Sequence, residues 1–273
     1  MTAGFKGTIL TIAGSDSLGG GGLQSDLVTF SEYGFGGLSA ITSIATVFSD
    51  HFDVHPLATD VLADQLASIS QVKNLRAIKV GLIPNLDQLD QIAAFLAKQD
   101  LPIVIDPVLA FKEGQTQQQE DLVSAYRTKL LPLATVVTPN LPEAEALTQQ
   151  QGLDSVEKLG EAAKELVALG AKTAVVKGGA RLPGEKAQDA YFDQGQVQIL
   201  TSPKFDQTAF TNGAGCTFSA AITANLAAGY SVEESLTDAK DFVNAAIWAG
   251  FPLGDNLPGG DVWPAGRRTS QQK

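Results

Sequence analysis

Short apolar runs alternate with helical patterns from one end of this chain to the other, and that alternation limits its fold more than any other feature. The runs Thr8 to Ala13, Leu38 to Phe48, Ala77 to Val80, Pro102 to Ile105, Thr135 to Thr138 and Thr173 to Lys177 read as buried strands. Between them, Leu23 to Tyr33, Leu57 to Ile69, Leu86 to Lys98, the stretch around Asp121 to Leu131, and Asp154 to Leu169 have helical spacing. A helix between successive strands is what parallel pairing requires, whereas antiparallel neighbours need only a tight turn. The fold expected is therefore one α/β domain, a mostly parallel sheet with helices on both faces. Two weaker strands, near Ala190 to Asp193 and Val197 to Thr201, read as a hairpin across Gln194-Gly195. Asp154 with Glu157, and Ser231 with Glu234, have the spacing of capping boxes, the second opening a last helix that ends near Ala249. The segment 257–273, rich in Pro, Gly and polar residues, is expected to be a mobile tail.

With 273 residues and 44% hydrophobic content, the chain can bury a large core without metals or disulfides. Its net charge of −11 argues against nucleic acid or an anionic membrane as partner, since both select Lys and Arg patches. Phosphate ligands stay possible, because backbone amides, Mg²⁺ and a few lysines can neutralise them locally. A single Cys forms no internal disulfide, Met1 to Thr11 lacks a signal layout, and no apolar run is long enough to span a bilayer. A cytoplasmic protein is expected.

In open parallel sheets the ligand lies beyond the carboxyl ends of the strands. Polar or small clusters follow the strands here: Gly14-Ser15-Asp16, Gly81-Leu82, Asp106-Pro107, Pro139-Asn140 and Lys177-Gly178-Gly179. The run Thr211-Asn212-Gly213-Ala214-Gly215-Cys216-Thr217-Phe218-Ser219 opens an alanine-rich helix. Small residues there let an anion approach consecutive amides at the positive end of the helix dipole, which points to a kinase-like phosphate site. Gly19 to Gly22 matches neither a Walker loop nor the dinucleotide spacing, and is either a substrate pocket, flanked by Asp16 and Asp26, or a plain strand-to-helix turn. Asp106 is either a Mg²⁺ carboxylate or a turn residue; Asn140 and Glu143, three apart, suit hydrated Mg²⁺ and triphosphate together. Lys177 is a candidate cation for ATP phosphates. His51 and His55 make a weak metal pair, leaving His51 as a lid contact or a solvated loop residue. Cys216, near a helix start, is either a base whose thiol pKa is lowered or a small bystander.

Thr11-Ile12-Ala13-Gly14-Ser15-Asp16-Ser17, Gly19 to Leu27, Asp106-Pro107-Val108, Thr138 to Glu143, Lys177-Gly178-Gly179 and Gly213 to Ser219, in that order, resemble the motifs of the hydroxymethylpyrimidine kinases and their pyridoxal-kinase relatives. Those enzymes belong to the ribokinase-like superfamily, and the likeness covers essentially Thr8 to Leu253. It implies a single three-layer α/β/α domain, usually a homodimer, that moves the γ-phosphoryl of Mg·ATP onto a hydroxymethyl group. By resemblance, Gly213, Ala214, Gly215 and Cys216 form the anion hole, with Cys216 as base. Asp106 and Glu143 organise Mg²⁺ through water. Asn140, Glu143, Lys177, Gly179, Thr211 and Gly213 lie near the ATP phosphates, and Val243 lies against adenine. Gly14, Asp16, Asp26, Val47, Gly81, Leu82 and Val108 surround the acceptor ring, with His51 in its lid. A monovalent-cation requirement stays open.

Departures from the motif choose between acceptors. Pyrimidine kinases carry Gln where this chain has Val47, which cannot hydrogen-bond an aminopyrimidine edge, and Cys216 to Ala221 with Phe251-Pro252-Leu253 resemble the pyridoxal-kinase branch. A B6 vitamer (pyridoxal, pyridoxine or pyridoxamine) is the expected acceptor, with hydroxymethylpyrimidine or its monophosphate as the rival. A vitamin-binding protein without catalysis is a third reading, opposed by the retained Asp106, Glu143, Lys177 and anion-hole residues. Phe111 stands where some of these kinases place a lid cysteine, so no thiohemiacetal forms from that position, and Asn212 stands where relatives often have His.

Overall fold

The computed structural model of the protein describes residues 4–109, 117–205, 210–254 and 259–270; Phe111 lies outside them. Strands β1 (Thr8–Asp16), β2 (Gly36–Val47), β3 (Phe52–Pro56), β4 (Leu75–Val80), β5 (Ile103–Ile105), β6 (Val136–Val137), β7 (Thr173–Gly179), β8 (Lys186–Asp193) and β9 (Gln196–Pro203) form one sheet. Its order is β3-β2-β1-β4-β5-β6-β7-β8-β9. Pairing is parallel from β2 through β7 and antiparallel at both edges.

Successive side chains of a strand point to opposite faces, and the apolar runs supply residues for both. Leu10, Ile12, Ile78, Val80, Ile103, Ile105, Val137 and Val176 enter one core with Leu62 of α2 (Thr59–Ile69), Leu89 of α3 (Leu86–Leu96), Leu147 of α5 (Leu141–Thr148) and Leu159 of α6 (Val156–Ala168). Their neighbours Val104, Val136 and Val175 enter the opposite core with Phe218 and Ile222 of α7 (Ala214–Ala227) and Phe242 of α8 (Val232–Trp248). Ile9 and Ala77 continue that second core against Phe30 of α1 (Gly22–Glu32). The outcome is the expected three layers. Helix α7 is buried nearly all round, which explains why its sequence is apolar without a polar face.

Four local expectations are corrected. Strand β3 was not foreseen: Phe-Asp-Val-His-Pro is half polar because it lies on a sheet edge, paired only with β2. The helix expected around Asp121 to Leu131 is α4 (Gln117–Ala125) followed by a wider turn over Tyr126–Leu130 and a 3₁₀ turn over Leu131–Leu133, where Pro132 has no N–H to continue an α-helix. The cap of α6 is Ser155, whose hydroxyl accepts from the Lys158 amide, while Asp154 pairs with the Lys158 ammonium at 2.9 Å. The tail is packed over its described part. The short strands β10 (Phe251–Pro252) and β11 (Gly260–Asp261) pair, Val262 and Ala265 are buried, and Arg267 of α9 (Gly266–Ser270) bonds Asp238 of α8.

Candidate active site

The carboxyl ends of the parallel strands open onto two adjoining cavities. One, of about 440 Å³, is lined by Gly14, Asp16, Val47, Lys79, Gly81, Leu82, Asp106, Val108, Glu143 and Cys216 among others. The second, of about 370 Å³, lies between the end of β7 and the helices α7 and α8, with Gly178, Gly179, Asp189, Phe205, Lys240 and Val243 on its walls. Asn140, Lys177, Arg181, Thr211 and Gly215 line both, so the two share a junction. A group leaving one cavity enters the other past those five residues. A larger hollow of about 940 Å³, between α4 and α5, holds none of the candidate residues.

Charge at the junction is organised in pairs. Asp106, directly after β5, accepts from the Lys177 ammonium at 2.7 Å and from the Thr138 and Ser219 hydroxyls at 3.2 Å each. Burial opposes its ionisation, but Lys177 and Lys79 outweigh burial and hold the carboxyl below its ordinary range. Glu143 and Asn140 form a reciprocal capping box on α5: the Glu143 amide donates to Asn140 Oδ1, and the Asn140 amide to Glu143 Oε2. The helix-cap reading of Asn140 is thus realised on the wall of the site. Burial, reinforced by the Asp106 charge, pushes the Glu143 carboxyl up to about 7 despite Lys177.

Two near-repelling carboxyls beside hydroxyls offer the hard oxygen set that Mg²⁺ prefers. Among the described residues no group of three or more Asp, Glu, His or Cys gathers to cage a metal. Asp106 and Glu143 therefore fit an ion that takes its other ligands from water and phosphate, as Mg²⁺ does in kinase sites.

The glycine turn before α7 is shaped by the protein's own backbone. Gly213 adopts φ 83°, and a Cβ on it would lie 1.7 Å from the Gly20 carbonyl oxygen, so only glycine fits. The Ala214 amide is spent on the Thr211 carbonyl at 3.1 Å, which removes it from the expected anion hole. Among the described residues the Gly215 and Cys216 amides meet no protein acceptor; they are first-turn donors of α7 and remain for an anion.

Cys216 lines the first cavity while keeping only partial exposure. Its thiol is not lowered as the base reading would have it. Burial pushes it up to about 11, Asp106 and Asp26 adding to that, and the Lys79 cation offsets only part. The helix start loses to desolvation.

Most predicted contacts come together. Gly14, Asp16, Val47, Gly81, Leu82 and Val108 line the first cavity, and Asn140, Lys177, Gly179, Thr211 and Val243 the second. Asp16 spends both carboxylate oxygens on the Leu18 and Gly21 amides, at 2.9 and 2.8 Å, and so shapes the glycine loop. Asp26 and His51 fall outside. Asp26 is fully buried, bonded to Lys79 at 2.8 and 2.9 Å and to the Thr11 hydroxyl at 2.6 Å. It holds Lys79, which lines the cavity, and its carboxylate keeps that ammonium well above the ordinary lysine value although burial opposes this. His51 lies in the exposed β2–β3 turn, stacked on Phe48 and bonded to Asp50 at 2.7 Å. Lys79, Arg181 and the Lys240–Asp189 pair were missed. A lysine inside an apolar strand was the available signal for Lys79; Arg181 and Lys240 carry none.

The phosphomethylpyrimidine kinase family model matches residues 16–259 of this chain. The chain belongs to that family. Among its relatives, a pyridoxine kinase of Bacillus subtilis (strain 168) is 43% identical over 248 residues, covering 89% of this chain and 91% of its own. A hydroxymethylpyrimidine/phosphomethylpyrimidine kinase of Haemophilus influenzae is 42% identical, with 88% and 90% covered. In structure, an ADP complex of Bacillus subtilis pyridoxal kinase superposes with TM-score 0.90 at 41% identity, over 96% of this chain and 98% of that one. The Staphylococcus aureus pyridoxal kinase in complex with AMP-PCP and pyridoxal follows at TM-score 0.88 and 36% identity, with 96% and 94% covered. The three-layer α/β/α fold is therefore that of this kinase family.

Proposed function

We propose that this chain transfers the γ-phosphoryl of ATP to the 5′-hydroxymethyl group of a B6 vitamer: pyridoxal, pyridoxine or pyridoxamine. The observation that carries the reading is the pair of cavities meeting at Asn140, Lys177, Arg181, Thr211 and Gly215. The cavity beside Val243 takes ATP and the one beside Val47 takes the vitamin. Val47, Leu82 and Val108 give the acceptor wall apolar contacts and no side-chain hydrogen bond at position 47, which suits a pyridine better than an aminopyrimidine. The chain's likeness to pyridoxine and pyridoxal kinases of Bacillus subtilis supports the same choice.

Catalysis of this kind rests on positioning and charge. The free amides of Gly215 and Cys216 receive phosphoryl oxygens, and Lys177, steered by Asp106, faces them from β7. Asp106 and Glu143 would hold Mg²⁺ through water; when bound, the ion neutralises triphosphate charge. Cys216 stands beside the acceptor hydroxyl as its base, with Lys79 behind it favouring the thiolate. A homodimer joined through the β2–β3 edge fits the exposed Ile44, Phe48 and Phe52 there.

Coupled ADP-release assays with pyridoxal, pyridoxine, pyridoxamine and hydroxymethylpyrimidine test the acceptor. A higher kcat/KM for a B6 vitamer is expected; turnover with the pyrimidine alone would replace the proposal with the thiamin-type activity, and turnover with none would leave a binding protein.

A further inference from the structure

Among the described residues four cationic side chains line the two cavities, and three are already neutralised. Lys79 is bonded to Asp26 at 2.8 Å, Lys177 to Asp106 at 2.7 Å, and Lys240 to Asp189 at 2.6 Å. The fourth, Arg181, has no carboxylate partner among the described residues, and it lines both cavities at their junction. A phosphoryl group crossing this space spreads negative charge over its oxygens, and Lys177, which faces it from β7, shares its own charge with Asp106. Among the described residues Arg181 is the unpaired cation left to answer it.

Its backbone is well placed for that role. Arg181 follows the strand end Gly179, which adopts φ 50°, and its amide donates to the Gly178 carbonyl at 3.1 Å. Next to it, Leu182 is buried, and the Lys204 ammonium bonds the carbonyls of Leu182 and Gly184 at 2.7 and 3.2 Å. The turn is pinned on both sides, and Arg181 itself is an exposed residue where it lines the junction. A planar fork of donors suits two oxygens of one phosphoryl group better than an ammonium does.

We propose that Arg181 is a catalytic residue, its guanidinium gripping the phosphoryl group in flight between the two cavities. In that step the acceptor hydroxyl oxygen bonds to the γ-phosphorus as the bond from phosphorus to the bridging oxygen breaks. The bridging electron pair leaves with ADP, and the hydroxyl proton passes to the Cys216 thiolate. The inference rests on the phosphoryl-transfer reading above, whichever acceptor is used.

The test is Arg181→Ala, Arg181→Gln and Arg181→Lys, assayed with whichever acceptor the parent enzyme turns over best. Removal of the guanidinium should lower kcat by about 10²–10³-fold with KM for ATP held within roughly threefold, and Lys should recover part of the loss. Calorimetry with Mg·ADP, alone and with aluminium fluoride, gives a second readout that needs no acceptor. Arg181→Ala should bind Mg·ADP as the parent does and lose about 10²-fold for the fluoride complex. A kcat loss below about tenfold, a loss confined to KM for ATP, or unchanged fluoride binding would each overturn the assignment. If the parent phosphorylates none of the vitamins, the acceptor reading fails while calorimetry still decides on Arg181.

Discussion

Cys216 is the proposed base, and its surroundings pull in opposite directions. Lys79 favours the thiolate, while burial and the Asp106 and Asp26 charges win and leave a pKa of about 11. At neutral pH a thiol of that pKa is ionised in roughly one molecule in ten thousand. If its thiolate accepts the hydroxyl proton, kcat should climb about tenfold per pH unit from 7 toward 10, since the active form is the deprotonated one. Cys216→Ala should lose about 10²–10⁴-fold in kcat and flatten that slope. A parent profile flat over the same range would remove the base role. The sequence showed where this cysteine sits but not its ionisation. Lys79, Asp26 and Asp106 come from three separate segments, and only folding brings their charges around one sulfur.

Single elements were legible where local chemistry decided them. The Ser231–Glu234 capping box of α8 and the turn Gln194-Gly195, both residues at positive φ, are as the sequence indicated. Strand β3 was not, because an edge strand needs no apolar face. Helix α9 was hidden for another reason: it is held by ion pairs rather than by a stripe of apolar residues. Arg267 of α9 bonds Asp238 of α8, which also accepts from the hydroxyl of Tyr33, just past α1, and from Asn225 of α7 at 2.8 Å. Burial opposes the Asp238 charge, but these bonds together hold its carboxyl below the ordinary value of 3.8. A carboxyl so depressed stabilises the fold above that value, and the contribution disappears as pH falls through the folded-state pKa. Urea unfolding at a series of pH values should therefore show an acid-side loss beginning near pH 4. Asp238→Asn should lower stability by about 1–2 kcal/mol at pH 7 and reduce that acid-side loss. An unchanged pH dependence would count against this network as its source.

At the scale of the molecule, the order of strands was legible only as far as alternation carries it. Parallel pairing with helices between follows from the pattern; which strand lies beside which does not, and the place of β1 inside the sheet, between β2 and β4, is a result of the fold. The exposed apolar edge belongs to this scale too. Ile44, Phe48 and Phe52 are 47%, 48% and 46% exposed, more than a free edge usually shows. Sedimentation should give about twice the chain mass of 28.6 kDa, and Phe48→Asp with Phe52→Asp should return it to one chain with far-UV dichroism unchanged. A single-chain mass for the parent would discard the dimer.

The contact of Gly213 with the Gly20 carbonyl has a consequence for how such an enzyme can change its diet. The loop 19–22, part of which lines the first cavity, and the turn proposed to receive phosphate are pressed backbone to backbone, so neither can be remodelled without dislocating the other. Drift toward a new acceptor is thereby channelled to Val47, Leu82 and Val108, side chains of the same cavity that take no part in this backbone contact.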